Sequence, residues 1–110
     1  MTLREKQSLF AAKVPGLIVK AISLGFEVTL GEVYRSPEEA ERLAKAGKGI
    51  ARSLHCDKLA IDINLFKDGK YLSSGKKHKE LGEWWEAQGG AWGGRFGDPN
   101  HYSLEWKGRK

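Results

Sequence analysis

The sequence predicts an α+β fold in which helices cover one face of a small, mainly antiparallel sheet. Apolar residues with helical spacing alternate along the chain with short segments in which every second residue is apolar. The predicted helices span about 3–13, 15–24, 37–46 and 77–88, and the predicted strands span 26–30, 59–66 and 101–106. Between strands, Asp68-Gly69 favours a hairpin turn, followed by a return strand that begins at Tyr71 and Leu72.

Capping residues mark the starts of the first and third predicted helices, and a proline marks the start of the second. Thr2-Leu3-Arg4-Glu5 is a capping box that begins the first helix. Pro15 lacks the amide hydrogen that a helix interior needs but suits a first turn, so we expect a second helix to begin there and to end at Gly25. Ser36-Pro37-Glu38-Glu39 supplies an N-cap, a proline and a capping-box glutamate for the third helix.

In the last predicted helix, Leu81, Trp84 and Trp85 have the spacing of a face that packs inward. His78 lies among three lysines in the first turn, and we expect it to be exposed.

Length and composition indicate a single globular domain spanning residues 1–110, since a chain of this size buries about two thirds of the surface that it exposes when unfolded. The net charge of +5 favours anionic partners. Nucleic acid is not expected among them, because the sequence has no recognition-helix, zinc-finger or RNA-stacking signature.

Cys56 is the only cysteine, which excludes an intramolecular disulfide, and we expect it to be buried.

The N-terminus lacks the apolar core of a signal peptide, and no run approaches the roughly 20 apolar residues of a membrane span. We therefore expect synthesis in the cytoplasm and no stable membrane association. The chain is expected to act as a monomer.

Three residues are candidate metal ligands: His55, Asp62 and His101. Histidine and carboxylate bind zinc, and catalytic zinc sites commonly use three protein ligands. In residues 59–65 the bulky apolar side chains occupy odd positions, which places Asp62 on the opposite face, and the same reasoning turns His101 away from its apolar neighbours. If both strands belong to one sheet, the two side chains converge on its open face. The alternative is a chance pairing of polar residues.

A longer pattern supports the metal site. Ser53-x-His55-x6-Asp62, then Trp92-Gly93-Gly94 and Asp98-x-x-His101, resembles zinc peptidases that cut peptidoglycan peptides. These are the D-alanyl-D-alanine carboxypeptidases and dipeptidases and the phage L-alanyl-D-glutamate endolysins. The resemblance runs from about Tyr34 to Glu105. Asp98 and the segment 60–69 are closer to the phage branch, whereas Lys58 departs from the glycine of many relatives.

The resemblance implies one Zn²⁺ per chain held by His55, Asp62 and His101. It also implies that Asp98 acts as the general base, that Arg35 stabilises negative charge in the transition state, and that Ser53 binds substrate.

The glycine-rich segment 89–97 contains two aromatic residues, Trp92 and Phe96, which could line a cleft. We take Trp92 as a substrate contact; a core tryptophan that pins a loop is the alternative. Asn64 and Glu105 share the polar face and are candidates for orienting the ligands.

The expected function is zinc-dependent hydrolysis of a peptide bond in the peptidoglycan stem peptide, between L-Ala and D-Glu. Removal of terminal D-Ala is the first alternative, and a non-catalytic, zinc-containing module that binds cell wall is the second. An endolysin without a signal peptide would reach the wall at the end of a phage cycle through a phage-encoded pore.

Overall fold

A computed structural model describes residues 1–50 and 52–110. Three helices and five strands make up the described chain. In chain order these are α1 (Leu3–Ser23), β1 (Glu27–Leu30), α2 (Pro37–Lys45), β2 (Ala60–Lys67), β3 (Lys70–Leu72), α3 (Gly75–Ala87), β4 (Ala91–Trp92) and β5 (His101–Ser103). Short 3₁₀ helices, Leu54–Asp57 and Gly93–Phe96, precede β2 and follow β4.

Strand β2 is the centre of an antiparallel sheet. It pairs with β1 along one edge and with β5 and β3 along the other, and β4 extends the sheet beyond β5. The β2–β3 turn has positive φ at Asp68 and Gly69, as the Asp-Gly prediction required. The register sets Asp62 directly opposite His101. The pairing of β2 with β5 therefore brings two candidate ligands together.

The helices α1 and α3 cover one face of this sheet. Alternate residues of β2 are fully or almost fully buried beneath them, as the period-two pattern predicted. The core residues from the two helices and this stretch are Phe10, Leu17, Ala21, Leu81, Trp85, Leu59, Ile61, Ile63 and Leu65. The α+β class and the antiparallel sheet are thus confirmed.

The predicted break at Pro15 is wrong, because α1 is one continuous helix from Leu3 to Ser23. An internal proline removes a hydrogen bond and costs about 3 kcal/mol. Phe10 and Leu17 are buried on either side of it, so the core holds both halves in line.

The prediction that His78 is exposed is also wrong. His78 is fully buried, with Nε2 3.1 Å from the Leu72 carbonyl oxygen and Nδ1 2.9 Å from the Tyr102 hydroxyl. A carbonyl only accepts, so Nε2 carries the hydrogen and Nδ1 accepts from Tyr102. His78 has the spacing to Leu81 and Trp85 that places all three on one face of the helix. The prediction of exposure gave more weight to the neighbouring lysines than to this spacing.

Smaller differences occur elsewhere. Cys56 is only partly buried. Strand β5 ends at Ser103, whose side chain is buried, and Trp106 instead pairs with Arg109 in an isolated bridge. No helix in the described part of the chain is long and apolar enough to cross a membrane.

Candidate metal centre

The candidate ligands come from three elements: His55 from the first 3₁₀ helix, Asp62 from β2 and His101 from β5. Each offers one ligand atom, and these atoms lie within 4.8 Å of one another. His55 Nε2 is 3.3 Å from Asp62 Oδ1, and His101 Nδ1 is 3.9 Å from the same oxygen. A metal ion could therefore be held between two imidazoles and one carboxylate, a donor set suited to zinc.

Local hydrogen bonds set the orientation of His55. The Ser53 hydroxyl caps the 3₁₀ helix by accepting from the His55 backbone N–H at 3.1 Å. On the ring, Nδ1 donates to the Val33 carbonyl oxygen at 3.1 Å. Because Nδ1 donates its hydrogen to Val33, Nε2 beside Asp62 is the ring nitrogen left to bind a metal once it has lost its proton.

The 3₁₀ helix ends at Lys58 in the left-handed conformation, with φ 57° and ψ 39°. This conformation costs a residue with a Cβ about 1–2 kcal/mol, whereas glycine adopts it freely. Lys58 therefore adopts the conformation that glycine would adopt more easily, and the 3₁₀ helix that carries His55 is formed.

The two histidines have opposite electrostatic environments. Burial lowers the pKa of His55, but the hydrogen bond and the negative charge of Asp62 outweigh it, so the pKa is raised overall. Burial, and then the positive charges of His55 and Arg35, lower the pKa of His101 to about 4. His101 Nε2 is also buried without a hydrogen-bond partner in the described chain. His101 is therefore neutral at pH 7, as a metal ligand must be.

A cavity of about 210 Å³ lies over these ligands. Arg35, Ser53 and Asp98 lie in its wall with the three ligands, so the structure brings together all six residues predicted to bind metal, to catalyse or, at Ser53, to bind substrate, but not Trp92. The remaining wall residues are Lys48, Gly49, Ile50, Leu54, Phe96 and Lys110.

The Asp98 carboxylate lies beside the ligands, with Oδ2 3.9 Å from His101 Nδ1. Its backbone N–H donates to the Gly93 carbonyl at 2.9 Å, and its carbonyl accepts from the His101 N–H at 3.1 Å. The side chain is 55% exposed. Burial, and then the negative charge of Asp62, raise the pKa of this carboxyl group. Asp98 thus places a partly exposed carboxylate in the cavity wall beside the candidate ligands.

Arg35 is held by Glu32, a residue that sequence reasoning missed. Arg35 Nε donates to Glu32 Oε1 at 2.7 Å, and the same oxygen is 3.9 Å from His55 Nδ1. Gly31 N–H donates to the Asp62 carbonyl and Asp62 N–H to that of Glu32, which carries the segment after β1 past the ligands. The spacing of Glu32 and Arg35 was the only signal for this pair.

Trp92 lies apart from the metal-site cavity. It is 4% exposed, belongs to the core, and donates from Nε1 to the Pro99 carbonyl oxygen at 2.8 Å. The aromatic residue in the cavity wall is Phe96, which is 54% exposed and whose ring centroid is 5.8 Å from that of His101. The structure thus places Trp92 where the core alternative put it, and its role as a substrate contact stays a prediction.

Asn64 and Glu105, the two residues predicted to orient the ligands, lie in different surroundings. Asn64 Oδ1 accepts from Asn100 Nδ2 at 3.2 Å, next to the strand that carries His101. Glu105 is exposed and lines a neighbouring cavity instead of the one over the ligands.

The fold and the cluster define an α+β protein with a candidate two-histidine, one-carboxylate metal centre on the uncovered face of the sheet. The model of the family described as D-alanyl-D-alanine carboxypeptidase matches residues 46–104, more than half of the chain. The chain belongs to this peptidase family, which confirms the resemblance read from its motifs.

The fold is also similar to a crystal structure of the L-Ala D-Glu endopeptidase ChiX from Serratia marcescens. The TM-score is 0.62 and the sequences are 21% identical, over 83% of this chain and 79% of that one. Comparison of the sequence with curated proteins found no significant match.

Proposed function

We propose that this protein is a zinc-dependent peptidase that hydrolyses the peptidoglycan stem peptide between L-Ala and D-Glu. The observation that carries the proposal is the convergence of His55, Asp62 and His101 on the floor of a cavity, with the separate Asp98 carboxylate beside them. Three ligands with an additional carboxylate are the parts that a metal-assisted hydrolase needs.

Zinc fits the residues present. His101 is neutral at pH 7, His55 offers Nε2 once that nitrogen has lost its proton, and the third donor is a carboxylate. When bound at such a site, zinc lowers the pKa of a coordinated water to about 7 and polarises the substrate carbonyl.

In the proposed reaction Asp98 takes the proton of the attacking water and passes it to the departing amine. Its place in the cavity wall supports this, since the carboxylate is close to His101 and also partly exposed to solvent. The raised pKa makes it a better base than an ordinary aspartate.

Arg35 is proposed to stabilise the negative charge that develops on the carbonyl oxygen. Its guanidinium group lies in the cavity wall, only 15% exposed, and the bond to Glu32 fixes its direction. Such a donor is most effective when it is oriented before the reaction. For Ser53 we propose substrate binding, in which its hydroxyl hydrogen, left free by the capping bond, would donate to the peptide.

The bond between L-Ala and D-Glu is preferred for two reasons: Asp98 is the residue typical of the phage branch, and the structural neighbour is named an L-Ala D-Glu endopeptidase. The second candidate is removal of terminal D-Ala, which the description of the matching family favours. We further propose a monomer that acts on the cell wall in phage lysis, after release through a phage-encoded pore.

Digestion of purified peptidoglycan by the zinc-loaded protein tests the proposal, with a chelator-treated sample as control and mass spectrometry of the released ends. New D-glutamyl amino termini that disappear with the chelator are expected. Free D-alanine would select the carboxypeptidase. Intact stem peptides in the presence of bound zinc would overturn catalysis and favour a module that only binds cell wall.

A further inference from the structure

A second cavity of about 330 Å³ opens beside the metal-site cavity, and we call it the side cavity. Phe96 and Lys110 line both. The Phe96 ring also lies against His101, so the wall that the two cavities share borders the candidate ligands. The two cavities are therefore adjacent, which is the arrangement that an extended chain bound in both of them requires.

The charged groups of the side cavity are not equivalent. Glu86 is engaged by Arg95, whose Nε and Nη2 donate to its two carboxylate oxygens at 3.0 and 2.7 Å. Glu105 is exposed and forms no ion pair with any residue that the structure describes, and the same holds for Lys110. The charges available to a ligand are therefore a cation in the shared wall and an anion beyond it.

A stem peptide presents its charges in a matching order. Its D-glutamate is joined to the next residue through the γ-carboxyl group, so the α-carboxylate stays free on the same carbon as the nitrogen of the L-Ala–D-Glu bond. The third residue is a diamino acid, lysine or meso-diaminopimelate, and its side chain ends in an ammonium group, which in meso-diaminopimelate stands beside a carboxylate. Moving away from the metal site, the peptide offers an anion and then a cation, while the protein offers Lys110 and then Glu105.

We infer that the side cavity binds the diamino acid of the stem peptide, with Glu105 accepting its ammonium group and Lys110 facing the D-glutamate α-carboxylate. Hydrogen bonds between ionised groups are stronger than neutral ones, so Glu105 selects an amine at this position. The inference rests on the proposed function, because that function supplies the direction in which the peptide lies.

Binding of product-like dipeptides tests the side cavity without catalysis. The probes are γ-D-glutamyl-L-lysine, γ-D-glutamyl-meso-diaminopimelate and γ-D-glutamyl-L-norleucine, titrated calorimetrically into the zinc-loaded chain. An amine-bearing dipeptide should bind about tenfold more tightly than the norleucine dipeptide, or about 1.4 kcal/mol. The tighter of the two diamino acids identifies the natural one.

Glu105→Gln should remove this preference. The matched control is Glu80→Gln, which makes the same charge change at an exposed position of α3 outside both cavities and should keep the preference. Equal binding of all three dipeptides by the unmodified chain, or a preference that survives Glu105→Gln, would overturn the inference.

Cleavage separates this inference from the proposed function. L-Ala-γ-D-Glu-L-Lys and its norleucine analogue should both be cut, the first with the higher kcat/KM, and Glu105→Gln should equalise them. Cleavage at equal rates in both proteins refutes the role of Glu105 but leaves the proposed function standing. No cleavage, together with dipeptide binding that depends on Glu105, refutes the proposed function but leaves the side cavity standing.

Discussion

Gly93 and His101 are in such close contact that a side chain at position 93 would collide with the ligand. A Cβ at Gly93 would lie 2.7 Å from the Cβ of His101 and 2.2 Å from the carbonyl oxygen of Asp98. The neighbouring backbone also connects these groups, since the Gly93 carbonyl accepts from Asp98 N–H. The glycine therefore allows the segment after β4 to pack directly behind the candidate ligand and the candidate base.

Gly93→Ala should displace His101 or Asp98 by several tenths of an ångström or more. We expect weaker zinc binding and at least tenfold lower activity, because small misplacements of reacting groups are costly. Zinc affinity by competition with a chromogenic chelator and turnover of peptidoglycan are the measurements. Gly75→Ala is the matched control, since a Cβ there meets nothing within 4 Å. Unchanged zinc affinity and turnover in Gly93→Ala would contradict this account.

Asp98→Asn should separate proton transfer from metal binding. The amide keeps the size of the carboxylate but cannot accept the proton of water, so we expect activity to fall by about 10²–10⁴-fold with zinc still bound. Metal content and peptidoglycan turnover, measured on the same sample, test this. Loss of zinc along with activity would identify Asp98 as a ligand.

Arg35→Ala should slow turnover by about two to three orders of magnitude, corresponding to about 2.7–4 kcal/mol of lost transition-state stabilisation. Arg42→Ala is a suitable control, because Arg42 forms the same kind of pair with a glutamate three residues away but lies on the exposed surface of α2. A near-normal rate for Arg35→Ala would remove Arg35 from the mechanism.

Local patterns predicted much of the fold and of the ligand set. The alternation in β2 predicted that Asp62 faces away from the core, and the capping residues Thr2 and Ser36 predicted the starts of α1 and α2. These features depend on the backbone geometry of one segment, so they can be read without knowing what the segment contacts.

The features that the sequence patterns did not predict correctly depend on contacts between segments that are distant in the chain. Trp92 is directed into the core because Gly82 leaves space for its ring, where a Cβ would come within 2.1 Å. The position of Glu32 follows from the pairing of the segment after β1 with Asp62. The continuity of α1 through Pro15 likewise depends on burial of residues far along the chain. Periodicity within one segment carries no information on such partners.

In mildly acidic solution, the zinc affinity should depend on the protonation of His55 and not on that of His101. The pKa of His55 is raised above its ordinary value of 6.5 and that of His101 is lowered to about 4. A proton must leave His55 before it binds metal, whereas His101 is already neutral. Between about pH 4.5 and 6.5 the dissociation constant should therefore rise close to tenfold per unit decrease in pH, corresponding to one proton. Competition titrations across this range measure the slope, and a slope of two protons would mean that both histidines titrate together.

The buried His78 should make the stability of the protein sensitive to acid. Burial lowers its pKa in the folded state, so the unfolded chain takes up a proton first as the pH falls below 6.5. The stabilisation is present above pH 6.5 and is lost as the pH decreases, down to the folded-state pKa. Urea unfolding followed by tryptophan fluorescence between pH 5 and 8 should show this loss, and His78→Leu should reduce its slope.

At pH 7.5 His78→Leu leaves the Tyr102 hydroxyl and the Leu72 carbonyl without their partner. A buried polar group left unpaired costs about 1–3 kcal/mol, so the free energy of unfolding should fall by at least that amount. Tyr102 precedes Ser103 and follows His101 on β5, so weaker zinc binding should accompany the loss. Lys79→Leu, at an exposed neighbouring position, should change neither quantity appreciably. Equal effects of the two substitutions would mean that the hydrogen bonds of His78 do not hold β5 against α3.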